Sequence, residues 1–145
     1  NEEGRAFAQV KTINVKKLPY IQIEESLQKP FVEKSDEMLI LNKKLKDIFE
    51  KFLRTLERRF NLSRPSKILQ NWQNISYKEF TKELAKNKIK LSLADEAEWE
   101  DYFLTEKTKA QFLQAQIIQT DKEIDDMVYQ LYGLTDDEIK IIESH

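Results

Sequence analysis

Thr120-Asp121-Lys122-Glu123-Ile124-Asp125-Asp126-Met127-Val128-Tyr129-Gln130-Leu131-Tyr132-Gly133-Leu134-Thr135-Asp136-Asp137-Glu138-Ile139 is the stretch whose reading decides the fold. It reads as the end of a long helix, a stop at a single glycine and an immediate restart. Gly133 suits the C′ position, where the left-handed backbone that closes a helix carries no Cβ penalty. A Schellman closure there folds Leu134 back on Tyr129. Thr135 then caps the next helix, and Glu138 completes a capping box. Leu134 and Ile139 take the two positions of a hydrophobic staple. Tyr129, Gly133, Leu134, Thr135 and Glu138 therefore form a structural corner, and nothing in it requires catalysis.

Upstream of that corner the apolar spacing is helical. Phe103, Glu106, Ala110, Leu113, Ile117, Thr120, Ile124, Met127 and Leu131 recur in three–four alternation, the seam of a long rod. Ser92 with Asp95 resembles a capping box at its start, and the acidic run Asp95, Glu96, Glu98, Glu100 and Asp101 sits where the helix dipole favours negative charge. An earlier rod begins near Ser26, with Pro30 near its first turn. It carries Phe31, Met38, Leu41, Leu45, Ile48 and Phe52, a stripe widened by Leu39, Phe49, Leu53, Leu56 and Phe60. About thirty residues at ~1.5 Å each give a rod of roughly 45 Å.

Between the rods lies a helical excursion. Ser63 or Ser66 caps a short segment whose apolar face is Ile68, Leu69 and Trp72. Ser76 and Glu79 make a capping box, flanked by the staple pair Ile75 and Phe80. Lys88-Ile89-Lys90-Leu91 reads as an extended, alternating connector. The expected fold is mainly α. Two long antiparallel rods, about 26–60 and 93–132, cross near ~+20°. Short helices at about 64–87 lie between them, and a terminal helix at about 136–144 offers Ile139, Ile141 and Ile142 to close the open end. Residues 6–23, with β-branched Val10, Ile13, Val15, Ile21 and Ile23 around Pro19, read instead as short strands. The domain boundary is placed between 1–24 and 25–145. Asn1-Glu2-Glu3-Gly4 is neither an initiator Met nor a cap, so the chain reads as a piece of a longer protein, with the rest of that sheet upstream.

The composition agrees: 34% of the 145 residues are charged and only 2 are Gly, which suits solvated helices. No cysteine is present, which removes disulfides and thiolate metal sites and fits a reducing cytoplasm. No apolar run approaches the ~20 residues of a membrane span. The sole histidine is the terminal His145, so Ser–His catalysis has no support. Gly4 and Gly133 stand apart, so no phosphate-cradling loop exists. Asp121 and Asp125 are spaced as paired carboxylates, but Lys122 between them favours a solvated face. No metal site is expected. The aromatics Trp72, Tyr77, Phe80, Trp99, Tyr102 and Phe103, at helical spacing, read as core in preference to a base-stacking platform.

Basic groups are the least empty signal. Lys11, Lys16 and Lys17 lie in the strand region. Arg54, Arg58, Arg59, Arg64 and Lys67 gather where the first rod ends, and Lys86, Lys88 and Lys90 lie on or beside the connector. Such groups neutralise phosphates, but soluble helical domains routinely carry such lysines, which weighs toward an ordinary solvated face. Both readings stay open.

The wording of the corner goes further. From Asp121 to Ile139 it closely resembles the pattern acid-x-E-I-D-x-x-V-Y-x-L-Y-G-L-T-x-x-E-I at the C-terminus of bacterial restriction–modification methyltransferases, the type IIG and TaqI-like adenine-specific enzymes. Phe7-Ala8-Gln9-Val10-Lys11 and Lys17-Leu18-Pro19-Tyr20-Ile21 are similar to the segment leaving a target recognition domain in those enzymes and in type I specificity subunits. Leu69 to Trp72, Ser76 to Leu84, Lys88 to Leu93 and Trp99 to Phe103 are similar to their helical excursion.

The resemblance implies the non-catalytic C-terminal part of such an enzyme. The Asn-Pro-Pro-Tyr signature, an S-adenosylmethionine loop and a nuclease arrangement are all missing from the sequence. The implied cofactor, S-adenosylmethionine, belongs to an upstream catalytic domain of the same chain. The implied partner is double-stranded DNA, touched by Lys11, Lys16, Lys17, Arg58, Arg59, Arg64, Lys67, Lys88 and Lys90. The implied location is the bacterial cytoplasm. The rival expectation is a helical scaffold for protein–protein assembly or dimerisation, without DNA affinity.

Overall fold

A computed structural model describes residues 25–144, with side chains from Gln28 onward. The strands expected in 6–23 and the boundary region 1–24 lie outside the described residues. Within them every element is helical: α1 (Glu25–Phe60), α2 (Lys67–Gln70), a 3-10 turn (Trp72–Asn74), α3 (Tyr77–Lys86), α4 (Leu93–Leu131) and α5 (Asp136–Glu143). Pro30 lies inside α1, beyond its first turn. The described residues divide into two compact units, 41–116 and 25–40 together with 117–144.

The unit of residues 41–116 is built on aromatic packing. Phe52, fully buried on α1, stacks on Trp72 at 4.0 Å between ring centroids and on Tyr102 at 5.5 Å. It also meets Phe80, Trp99 and Phe103 at 5.8, 6.1 and 6.0 Å. One ring thus ties α1 to the excursion and to α4. Phe60 lies 5.3 Å from Trp99, so later residues of α1 meet earlier residues of α4 and the two segments run antiparallel. Leu56, Leu69 and Leu84 fill the same core. The six aromatics read as core are half-buried or buried.

Local signals explain where each short element starts. Ser66 Oγ accepts from the Leu69 amide at 3.3 Å. Ser76 and Glu79 form the full capping box, and the staple partners Ile75 and Phe80 are buried. Ser92 Oγ accepts from the Asp95 amide at 3.1 Å, while the Asp95 carboxylate turns to Arg59.

Helix ends are closed by left-handed residues. The Leu62 amide donates to Glu57 O at 3.1 Å around Asn61, whose φ is 51°. The Ile89 amide donates to Leu84 O at 3.0 Å around Lys88, with φ 62°. Lys88 is therefore the C′ residue of a Schellman closure and not part of an extended connector.

In the second unit, Val128 and Tyr129 are buried among Phe31, Tyr132, Leu134, Ile139 and Ile142. At the corner Gly133 has φ 60°, the Leu134 amide donates to Tyr129 O at 3.1 Å, and Thr135 and Glu138 make a complete capping box. Phe31 packs against the Val128–Tyr129 cluster while Lys34 Nζ reaches Glu123 Oε2 at 2.8 Å, so α1 and α4 run antiparallel here too. Every member of the α4 seam from Phe103 to Leu131 is buried or half-buried.

Three apolar side chains read as inward are not. Leu39 is 60% exposed, Ile68 44% and Ile141 62%. Each adjoins residues that already fill the inward arc of its helix. Asp121 and Asp125 depart the other way. They are half-buried at the edge of the α4 seam, not on a fully solvated face.

Candidate nucleic-acid interface

The basic residues are brought to one place by the ends of two helices. Arg58 and Arg59 occupy the last turn of α1, where unsatisfied carbonyls favour cations. Arg59 Nη2 then bridges to Asp95 Oδ1 at 3.3 Å in the first turn of α4. This contact holds the end of α1 beside the start of α4. Arg64 and Lys67 follow directly on α1, and Lys88 and Lys90 directly precede α4. The same end of the 41–116 unit therefore carries both groups. Arg58, Arg64, Lys67, Lys88 and Lys90 are all exposed.

The backbone there is fixed at each turn. The left-handed Asn61 turns the chain out of α1 toward Arg64. The left-handed Lys88 ends α3 so that Lys88 and Lys90 lie on a short span between two helices. Gln70 Nε2 donates to Pro65 O at 2.9 Å, tying down the loop that carries Arg64 and Lys67. The cations thus sit on a scaffold of caps and closures, not on a long free loop.

Acidic groups temper the site. Arg59 directs its guanidinium to Asp95; Glu96 shares that first turn of α4 and Glu98 follows it. Tyr77 Oη donates to Glu96 O at 2.8 Å. Burial, helped by Glu96 and Glu100, pushes the Tyr77 phenol up to about 12. A surface recess beside it is lined by Thr81, Ala85, Ile89, Lys90, Leu91 and Glu96. Such a mixed surface with exposed long cations suits loose, screened contact with a polyanion. Among the described residues, no three His, Cys, Asp or Glu side chains gather to hold a metal.

Lys11, Lys16 and Lys17 lie outside the described residues. Tyr129, Gly133, Leu134, Thr135 and Glu138 do come together, but in the other unit and as a fastener. The Tyr129 hydroxyl donates to Glu143 Oε2 at 3.1 Å, and burial holds its phenol well above the usual range. Arg59's engagement with Asp95 was not visible in the sequence, because a separation of 36 residues carries no local signal. Lys107, too, is spoken for: its Nζ donates to Ile75 O at 2.7 Å.

The model of a domain of unknown function, DUF8810, matches residues 24–128. The chain belongs to this family. The matched span covers the aromatic core and the basic helix ends and stops just before the Tyr129–Glu138 corner. No curated protein and no solved structure matches the chain. Among the described residues no helix is long and apolar enough to cross a membrane.

Proposed function

We propose that this DUF8810 chain is a non-catalytic helical part of a bacterial restriction–modification DNA adenine methyltransferase. In this reading it holds a recognition domain and steadies the duplex through backbone contacts. The observation that carries the reading is the set of exposed cations Arg58, Arg64, Lys67, Lys88 and Lys90 on rigidly capped helix ends. The resemblance of Asp121–Ile139 to the C-terminal wording of those enzymes supports it. An enzyme that modifies a base must first extrude it from the duplex. A helical arm contacting phosphates keeps the rest of the DNA in register meanwhile. S-adenosylmethionine and the methyl transfer belong to a catalytic domain elsewhere in the parent.

A helical assembly scaffold is the second reading. It is favoured by the exposed Leu104, Phe112 and Ile118 along α4. Fluorescence anisotropy with labelled duplex DNA across a salt series separates the two. The DNA reading expects weak binding without sequence preference, with affinity falling steeply as salt rises. Five phosphate contacts correspond to a log–log slope of about −4 to −5. Absence of binding even at low salt would leave the scaffold standing.

A further inference from the structure

The outward face of α4 carries an apolar stripe that the core does not use. Leu104, Thr108, Phe112, Ala115 and Ile118 follow at steps of three and four, and all are exposed. Phe112 is 64% exposed and Ile118 70%. Buried seam residues Phe103, Glu106, Ala110 and Thr120 occupy the opposite side of the same helix. An exposed apolar row on a helix already anchored along its other side marks an interaction surface.

The stripe is self-complementary under a two-fold axis. When a second α4 is laid antiparallel with its centre between Gln111 and Phe112, Thr108 faces Ala115, while Leu104 falls within one residue of Ile118 and Phe112 within one residue of its own copy. Asp101 faces Lys122 at both ends, with Glu100 adding a second acid beside each lysine. The small side chains Thr108 and Ala115 let the backbones approach between the bulky rows. A parallel pairing would instead oppose like charges, Asp101 to Asp101 and Lys122 to Lys122. The charge order along one helix therefore selects both the occupant and its direction, as a two-fold interface requires.

We infer that the exposed Leu104–Ile118 face of α4 is an antiparallel dimer seam, and that its partner is a second copy of this chain. The inference is independent of DNA binding, because none of the proposed phosphate contacts lies on α4.

The 145-residue chain is tested by sedimentation velocity over a concentration series, with circular dichroism to check helicity. A concentration-dependent dimer is expected. Lys122→Glu places acid against acid and should weaken association roughly 3- to 10-fold. Combining it with Asp101→Lys should restore association. Phe112→Glu should leave a helical monomer. Because the chain has no cysteine, Gln111→Cys should form an interchain disulfide under mild oxidation, whereas Glu98→Cys, off the stripe, should not. A monomer at every concentration would overturn the inference. So would a dimer insensitive to Lys122→Glu and not captured at position 111.

Discussion

Asn61 and Lys88 hold positive φ without being glycine, whereas Gly133 does so with glycine. A left-handed non-glycine residue costs roughly 1–2 kcal/mol. Asn61→Gly and Lys88→Gly should therefore each stabilise the fold, by up to about 1 kcal/mol after the added chain entropy of glycine. Gly133→Ala should destabilise it by about 1 kcal/mol. No atom lies within 4 Å of a Cβ built at position 133, so that cost is conformational and not steric. Urea midpoints for the three variants check all of this, and a neutral Gly133→Ala would sink the corner assignment. The glycine closure was legible in the sequence because its residue type announces it. The Lys88 closure was not, since lysine gives no such signal and the alternating Lys88–Leu91 pattern imitates a strand.

Also at this scale, Tyr77 binds its proton more tightly folded than unfolded. The folded chain then holds more protons between about 10 and 12, so stability falls as pH rises through that window. Tyr77→Phe should flatten the decline, measured as unfolding free energy against pH.

At the scale of elements, Phe52 is the residue on which α1, the excursion and α4 converge. Phe52→Ala should cost about 3–5 kcal/mol, enough to unfold the 41–116 unit in a domain of ordinary stability. Phe52→Leu should cost less while preserving α-helical circular dichroism. Ser76→Ala should cost about 1 kcal/mol through the lost cap. Trp72 is present for its area more than its polarity. Its indole N–H is buried with no hydrogen-bond partner among the described residues, which offsets part of the gain from stacking.

Helix starts and seams were readable because capping boxes and three–four spacing are local. The outer edges of the stripes were less so. Leu39 and Ile68 have the right chemistry for a core, but the arc of the helix that faces inward is set by its neighbours. The Thr135–Glu138 box also predicts an acid response. The Thr135 amide and hydroxyl lower the Glu138 carboxyl, and Lys34 lowers Glu123. Stability from both is present above the ordinary carboxylate range and is lost as pH falls through their lowered values. The Thr135→Ala, Lys34→Ala double variant should lose less stability between neutral and acid pH than the parent.

At the scale of the whole chain, sequence spacing could show that basic residues were numerous at 54–67 and 86–90. It could not show that Arg59 would engage Asp95 and bring the two groups to one end. That depends on a contact between distant positions, formed only once the aromatic core sets the two helices side by side. The resemblance of the 121–139 wording and the DUF8810 match point to different stretches, 121–139 and 24–128. The functional claim thus rests on the surface of the 41–116 unit. Amide chemical-shift mapping of the isotope-labelled chain during titration with duplex DNA tests that claim most directly. Shifts concentrated at residues 58–67 and 86–92, suppressed by added salt and by the Arg64→Ala, Lys88→Ala, Lys90→Ala triple variant, are the expected result. Unchanged spectra at low salt, or shifts confined to other surfaces, would contradict it.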